Sequence, residues 1–181
     1  MINKKKEPEK IKIGGKPKYI KIGDDYNFFE LFKKIQLNYK NCFLFESLGE
    51  ESNISRYHII GFDPKYLIFS ESKHELNIED IDKGEVNTYL CKNPYYKLRE
   101  IIPQNVISKK YAGGLVGFVS YDGINYFEQN LNIKKNPDFE SFKFGVYLDG
   151  LIYDQRSITC INYLVNTVKF YSFTLVNFNL L

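Results

Sequence analysis

Hydrophobic residues recur at helical spacing in a first stretch of the chain, directly after Asn27. The apolar positions of this stretch are Phe28, Leu31, Phe32 and Ile35. Asn27 with Glu30 three residues later resembles a capping box, in which a side chain satisfies the first backbone N–H groups of a helix. The spacing therefore predicts one helix of about three turns.

A second helix is predicted after Asn93, which can cap it. Pro94 suits the first turn of a helix, and Pro103 ends the pattern. The apolar stripe between them consists of Tyr95, Leu98, Ile101 and Ile102.

The rest of the chain is rich in β-branched and aromatic residues, which favour strands. The predicted strands are Cys42–Phe45, Tyr57–Ile60, Tyr66–Phe69, Val86–Leu90, Leu115–Tyr121, Phe142–Tyr153 and Ile158–Leu164. Turn residues separate them, as at Asp63-Pro64 and Lys83-Gly84. Because two helices lie among about seven strands without regular alternation, we expect an α+β fold with a largely antiparallel sheet rather than a doubly wound one.

Composition is that of a globular protein of about one domain. The 181 residues are 44% hydrophobic and 26% charged, with a net charge of +3 that is too small to indicate a nucleic-acid partner. The sequence has no long apolar run for a membrane span and no secretory signal, so we expect a cytoplasmic protein without a membrane partner. Three cysteines without a C-x-x-C pair argue against a zinc ribbon and a disulfide-stapled module.

The two ends of the chain differ from its middle. Residues 1–19 are rich in lysine and contain Gly14-Gly15, which predicts a flexible lead-in. Residues 166–181 are an atypical tail, because the segment from Thr167 to Leu181 is apolar and β-prone up to the last residue. We interpret the tail as that of a chain cut short.

Few residues are candidates for catalysis. His58 and His74 are the two histidines, and we expect a structural role for His58 because it lies within a predicted strand. The glycines from Gly113 to Gly117 match neither a dinucleotide fingerprint nor a phosphate loop. We expect them to allow close backbone packing or a bulge where a strand begins. No catalytic residue and no metal ligand is assigned from spacing.

Two stretches mix polar and apolar residues in a way that could serve a ligand. In the first, the apolar strand through Phe45 ends abruptly in Glu46 and Ser47. A carboxylate and a hydroxyl beside aromatic residues could hold the polar groups of an amino acid. The alternative is a strand that runs into a polar loop. The second stretch, residues 120–128, holds Asp122 and Glu128, which could be capping and surface groups.

Three segments resemble the N-terminal domain of the chorismate-utilising family that contains anthranilate synthase component I and aminodeoxychorismate synthase component I. Leu44-Phe45-Glu46-Ser47 resembles the family's Leu-Leu-Glu-Ser. Arg56 to Pro64 resembles its Arg-Tyr-Ser-hydrophobic-Ile-Gly followed by Asp-Pro. Gly113 to Asp122, with Phe127-Glu128, resembles its Gly-Gly-hydrophobic-hydrophobic-Gly-Tyr-x-x-Tyr-Asp and trailing aromatic-Glu. The order and spacing of these segments agree with the family pattern over residues 20–165. The resemblance therefore implies that this range is the N-terminal domain.

The resemblance implies a β-sandwich-like α+β domain that has a regulatory role and binds the feedback inhibitor L-tryptophan. In the anthranilate branch the Leu-Leu-Glu-Ser segment lines that site, so Glu46 and Ser47 are the implied binding residues and Phe45 would flank the indole. Arg56 and Tyr57 would support the neighbourhood. The sequence departs from the family pattern at three positions, which are Phe45 for Leu, His58 for Ser and Phe118 for Tyr.

The resemblance also implies that the chemistry lies elsewhere. The family's chorismate and magnesium ligands belong to a larger catalytic domain that we expect to be absent here, so no cofactor is assigned to this chain. The parent enzyme, a lyase, would work with a glutamine amidotransferase subunit. Two alternatives remain open: the aminodeoxychorismate branch, which makes a folate precursor, and a stand-alone, non-enzymatic amino-acid-binding module.

Overall fold

The computed structural model describes residues 7–12, 18–23, 27–47, 56–103, 113–128, 130–154 and 161–165. Backbone proximity divides the chain into two compact units. The first unit comprises Met1–Ile13, Lys65–Asn105 and Leu115–Val146, and the second comprises Gly14–Pro64, Val106–Gly114 and Tyr147–Leu181.

The second unit is built on a five-stranded antiparallel sheet with one helix. Its elements are β1 (Lys18–Gly23), α1 (Phe28–Asn38), β2 (Cys42–Phe45), β3 (Tyr57–Phe62), β9 (Gly150–Asp154) and β10 (Ile161–Val165). The strands lie in the order β1-β10-β9-β3-β2, and each neighbouring pair is antiparallel. Strand β2 is therefore at the edge of this sheet.

A second five-stranded sheet forms most of the first unit. Its elements are β4 (Tyr66–Ser72), β5 (Glu75–Asp80), β6 (Glu85–Leu90), α2 (Pro94–Ile101), β7 (Gly114–Val119), a 3₁₀ helix (Tyr121–Tyr126) and β8 (Phe142–Tyr147). The strand order is β6-β5-β4-β8-β7, with antiparallel pairing of β6 with β5, β5 with β4 and β4 with β8. The predicted α+β class with largely antiparallel sheets is confirmed.

Helix α1 begins where the sequence predicts. The Asn27 side chain accepts hydrogen bonds from the N–H groups of Phe29 and Glu30 at 3.0 and 3.1 Å. The apolar stripe then buries Phe28, Leu31 and Ile35. These side chains form one core cluster with Ile60, Phe62 and Leu151 of the sheet. Burial of each such side chain contributes about 1.5–3 kcal/mol.

The prediction of helix α2 with Asn93 as its cap is also confirmed. Asn93 accepts from the N–H groups of Tyr95 and Tyr96, and Pro94 occupies the first turn. The buried residues of this helix are Pro94, Leu98 and Ile101. Ile102 is the C-cap, one residue before Pro103.

Strands β1 and β5 are absent from the sequence prediction. In β5 the neighbouring residues Leu76 and Asn77 are both buried, which breaks the alternation expected of a half-buried strand. Thr88 on β6 donates a hydrogen bond to the buried Asn77 side chain at 2.7 Å, so the polar group is satisfied there. A buried polar residue of this kind hides a strand from pattern analysis.

Several predicted strand boundaries are also wrong, among them that of the strand predicted as Tyr66–Phe69, which continues to Ser72. The apolar run from Phe142 to Tyr153 is two strands, because β8 ends at Tyr147 and β9 begins at Gly150. The strand predicted to reach Tyr121 ends at Val119, and a 3₁₀ helix begins at Tyr121. The strand predicted from Tyr57 continues to Phe62. Apolar runs show that a segment is buried but do not show where it changes direction or sheet.

The expectation for the glycine-rich stretch is confirmed. Gly113 has a φ of 81°, and a Cβ there would overlap the carbonyl oxygen of Tyr147. A Cβ at Gly117 would overlap the carbonyl oxygen of Lys143 on β8. Both glycines therefore permit close approach of two backbones, as expected where strand β7 begins.

The predicted lead-in overlaps two described segments. The N–H of Ile11 donates to the carbonyl of Ile101 at 2.8 Å, and Glu7 forms an ion pair with Lys97. Strand β1 begins at Lys18, inside the predicted lead-in. The flexibility of residues 1–19 stays a prediction, and the predicted tail, residues 166–181, lies outside the described residues.

Candidate functional site

The candidate site lies where the edge strand β2 ends. Strand β2 pairs with β3 in a register that places Leu44 opposite Ile60 and Phe45 opposite Ile59. Leu44 packs against the core cluster on the α1 side. Because side chains alternate along a strand, Phe45 points to the other face, where its side chain is 53% exposed.

Phe45 belongs to a small group of aromatic rings on that face. Its ring centroid lies 4.7 Å from that of Phe43, and the Phe43 ring meets Tyr147 edge-on at 4.9 Å. Gly61 lies opposite Phe43 in the register, and a Cβ at Gly61 would fall within the Phe43 ring. Because Gly61 has no side chain, the Phe43 ring can lie over its backbone, and there it contacts the Phe45 ring.

Glu46 is on the opposite side, next to a histidine. Its Oε1 lies 3.5 Å from Nδ1 of His58, an ion-pair distance when the imidazole is protonated. The His58 ring packs against Phe28 of α1 and Tyr153 of β9, with centroid distances of 6.0 and 5.6 Å, and those two rings are 6.0 Å from each other. The expected structural role of His58 within a strand agrees with this packing, which in addition brings the histidine to the candidate carboxylate.

Ser47 is held by the backbone of β3. Its Oγ donates to the carbonyl oxygen of Tyr57 at 3.3 Å, and the residue is half-buried. Glu46 and Ser47 thus contact two consecutive residues of β3. Since β3 is bonded to both β2 and β9, these contacts connect the polar pair to the interior of the sheet.

Arg56 and Tyr57 precede His58 and surround the same strand end. The Arg56 guanidinium donates two hydrogen bonds to the Asp154 carboxylate on β9, at 2.8 and 2.7 Å. This hydrogen bonding raises the pKa of Arg56 above its ordinary value. The guanidinium also lies 4.8 Å from the centre of the Tyr57 ring. Arg56 therefore supports this strand end by binding Asp154 and by lying over the Tyr57 ring.

The structure brings the three predicted residues to one strand end but not to one face. Phe45 and Glu46 leave the backbone on opposite sides of the sheet, as their different partners show. A ligand that touches both must therefore lie across the end of β2. The segment that follows, residues 48–55, lies outside the described residues.

In the second polar stretch, residues 120–128, Asp122 has a structural role. Asp122 is buried, and its carboxylate accepts hydrogen bonds from the hydroxyls of Ser120 and Ser141 at 2.8 and 3.0 Å. Asp122 also borders a cavity of about 400 Å³ with Asn125, Lys73 and Lys135. The Lys135 ammonium at this cavity donates a hydrogen bond to the Glu71 carbonyl oxygen.

The described ranges do not offer a metal centre. Within them, no group of three or more His, Cys, Asp or Glu side chains is arranged to hold a metal ion. The location of magnesium in another part of the family's polypeptide stays a prediction. No helix of the described segments is both long enough and apolar enough to cross a membrane.

In the part of the chain that the structure describes, two mainly antiparallel five-stranded sheets and two α-helices define an α+β protein whose candidate site is at a sheet edge. No protein-family model matches the chain. It is 45% identical over 148 residues to anthranilate synthase component 1 of Leptospira biflexa, covering 81% of this chain and 30% of the relative. It is 35% identical over 133 residues to the protein of the same name from Methanothermobacter thermautotrophicus, covering 73% and 27%. The chain belongs to the anthranilate synthase component I family.

A solved structure of anthranilate synthase component I from Streptococcus pneumoniae is also similar. It is 23% identical with a TM-score of 0.47, and the match covers 67% of this chain and 26% of that chain. The resemblance of the three sequence segments to this family is thus confirmed by the curated relatives. The chain spans less than a third of the length of those relatives.

Proposed function

We propose that this chain is the tryptophan-binding, regulatory part of an anthranilate synthase component I. The complete enzyme would convert chorismate and glutamine-derived ammonia to anthranilate and pyruvate, and tryptophan would inhibit it. The observation that carries this proposal is the 45% identity over 81% of the chain. The polar pair at the end of β2, held by two residues of β3, supports a ligand site there.

Each candidate residue has a chemical role in this proposal. The Glu46 side chain is 36% exposed, and its carboxylate would accept hydrogen bonds from the ammonium group of the amino acid. Ser47 would hydrogen-bond the ligand's polar end through its hydroxyl or its backbone. Phe45 would contact the indole, because an exposed aromatic ring is a suitable stacking surface. The ligand would span the end of β2 to reach all three.

The chemical steps would belong to other parts of the enzyme. Chorismate and magnesium would be bound by the polypeptide that the relatives have and this chain does not match, and an amidotransferase subunit would supply ammonia. We therefore expect no anthranilate from this chain with chorismate, ammonium and magnesium. Turnover by the isolated chain in that assay would contradict this part of the proposal.

Binding can be measured on the 181-residue chain itself. Isothermal titration with L-tryptophan should show saturable binding, and a concentration of about a hundred times Kd should add about 2.7 kcal/mol to the free energy of unfolding. Glu46→Gln should weaken binding strongly because it removes the charge that faces the ammonium. Glu85→Gln, at an exposed glutamate that begins β6, is the matched control and should bind normally. Equal affinity of the two variants would exclude Glu46 from the site.

The regulatory role needs a complete enzyme. In a full-length relative, a bulkier residue at the position of Ser47 should relieve inhibition by tryptophan and leave turnover intact, because it blocks the inhibitor site without touching the chemistry. Unchanged inhibition would remove Ser47 from the site.

A further inference from the structure

Three aromatic rings in contact become more exposed one after the other towards the end of β2. Tyr147 is buried, the Phe43 ring that it meets edge-on at 4.9 Å is half-buried, and the Phe45 ring 4.7 Å beyond Phe43 is 53% exposed. The exposed ring of Phe45 is therefore supported by a ring that is itself held against a buried one.

The place of the Phe43 ring depends on Gly61. The two residues lie opposite each other in the register of β2 with β3, and a Cβ at Gly61 would overlap the ring. The backbone at Gly61 cannot give way easily, because β3 is paired with β2 on one side and with β9 on the other. A side chain at this position must therefore displace the Phe43 ring.

Displacement of Phe43 should be passed on to Phe45. The ring of Phe43 contacts Tyr147 and Phe45, and only the second of these two is more than half exposed. A buried side chain in a close-packed interior resists movement more than an exposed one does. The exposed Phe45 ring is thus the one that gives way.

We propose that Gly61, acting through Phe43, is a positioning residue that holds Phe45 in place for the aromatic ring of the ligand. This inference rests on the proposed function. Aromatic pairs prefer offset or edge-on arrangements with centroids about 4.5–7 Å apart, so their contact depends on the position of both rings. A ring that is already held in place also loses less freedom when the ligand binds. Gly61 and Phe43 would not touch the ligand.

The fluorescence of the ligand itself can measure this effect. The chain contains no tryptophan, so the indole signal comes from bound and free L-tryptophan alone. Titrations followed by fluorescence anisotropy should give a Kd about fivefold weaker for Gly61→Ala, a change within the range of one aromatic pair. Phe43→Leu removes the supporting ring and should weaken binding to a similar extent.

Gly117→Ala is the matched control. Its Cβ would overlap the backbone of Lys143 in the other unit, so it should destabilise the chain but leave the Kd for tryptophan unchanged. This control separates a loss of affinity from a loss of stability. Equal weakening of binding in Gly61→Ala and Gly117→Ala would assign the effect to stability and overturn the inference.

The double variant shows whether Gly61 acts through Phe43. A leucine opposite an alanine is an ordinary cross-strand pair, so Gly61→Ala should add no further loss of affinity once Phe43→Leu is present. Losses that multiply in the double variant would show that Gly61 acts independently of Phe43, which contradicts the proposal.

A second measurement needs no change at Gly61. In the chain saturated with L-tryptophan, nuclear Overhauser contacts from the indole should reach the Phe45 ring and not the Phe43 ring, with Phe45→Leu and Phe43→Leu used to assign the two. A direct contact of the indole with Phe43 would make Phe43 a binding residue and overturn its positioning role.

The outcomes separate this inference from the proposed function. The parent Kd in folded Gly61→Ala would overturn the inference and leave the proposed site intact, and if that variant does not fold, the parent Kd in Phe43→Leu would do the same. Absence of tryptophan binding by the unaltered chain would overturn the proposed function and this inference together.

Discussion

Arg56 and Asp154 join two neighbouring strands through a pair of hydrogen bonds at 2.8 and 2.7 Å. Asp154 is the last residue of β9 and lies opposite Tyr57 in the register, one residue along from Arg56. Its side chain is 14% exposed, whereas that of Arg56 is 36% exposed. The pair therefore fastens the start of β3 at the place where the Tyr57 carbonyl accepts from Ser47.

A double-mutant cycle should detect this connection. Arg56→Met keeps the apolar stem, and Asp154→Asn keeps the shape of the carboxylate, so each removes the charge with little change of volume. Each single variant should unfold at a lower urea concentration than the parent, and the double variant should lose much less than the sum of the two. Strictly additive losses would show that the two groups do not stabilise each other.

Two glycines of strand β7 should respond in opposite ways to the same substitution. Gly117→Ala places a Cβ against the Lys143 backbone, which cannot give way without a shift of β8, so the expected cost is about 1–3 kcal/mol. Gly114→Ala has open space around its Cβ and should be neutral or stabilising by about 0.4–1 kcal/mol. Urea denaturation of the two variants gives the comparison, and equal stabilities would contradict the close approach of β7 and β8.

The cap of α1 provides a prediction on local structure. Asn27→Ala removes the acceptor for two backbone N–H groups and should cost about 1 kcal/mol in the free energy of unfolding. Asn27→Asp keeps an acceptor of the same shape and should retain most of that stability. If thermal or chemical denaturation finds the two variants equally destabilised, the cap contributes nothing to the stability of the chain.

The ion pair of Glu140 with Lys143 should make stability depend on pH. Burial acts to raise the pKa of Glu140, but the hydrogen bond from Lys143 and other favourable contacts outweigh it, and the net shift is downward. A carboxyl group with a lowered pKa in the folded state stabilises the fold above its unfolded pKa. That contribution is lost as the pH falls through the folded value.

Lys143→Met should therefore destabilise the chain by on the order of 1 kcal/mol at about pH 7, with a smaller difference at about pH 3. Part of the loss should remain at low pH, because Lys143 also lies over the Phe69 ring at 5.4 Å. Lys33→Met is a matched control, since Lys33 pairs with Glu30 and lies over the Phe29 ring at a more exposed place. A difference for Lys143→Met that is the same at both pH values would exclude the lowered pKa of Glu140 as its cause.

The candidate site shows where prediction from sequence succeeds and where it stops. The segment through Phe45, Glu46 and Ser47 is recognisable as a strand that ends in a polar pair, and β2 has the predicted bounds. The contact of Glu46 with His58 links residues 12 positions apart, and it depends on the register of β2 with β3. No local pattern shows that register, because it is set by which faces of two strands are buried together.

The sequence by itself determined both helices with their caps, the α+β class, the role of the glycines Gly113 and Gly117 in close backbone packing, and the family. These features depend on near neighbours or on short motifs: Asn27 and Asn93 cap helices through bonds to residues two and three positions away. The tertiary structure decided the rest. It assigned β8 and β9 to different sheets, buried Asn77 inside β5, and brought Arg56 to Asp154, which is 98 residues away. Such pairings depend on how distant segments share a core, and that information is not contained in any single stretch of the chain.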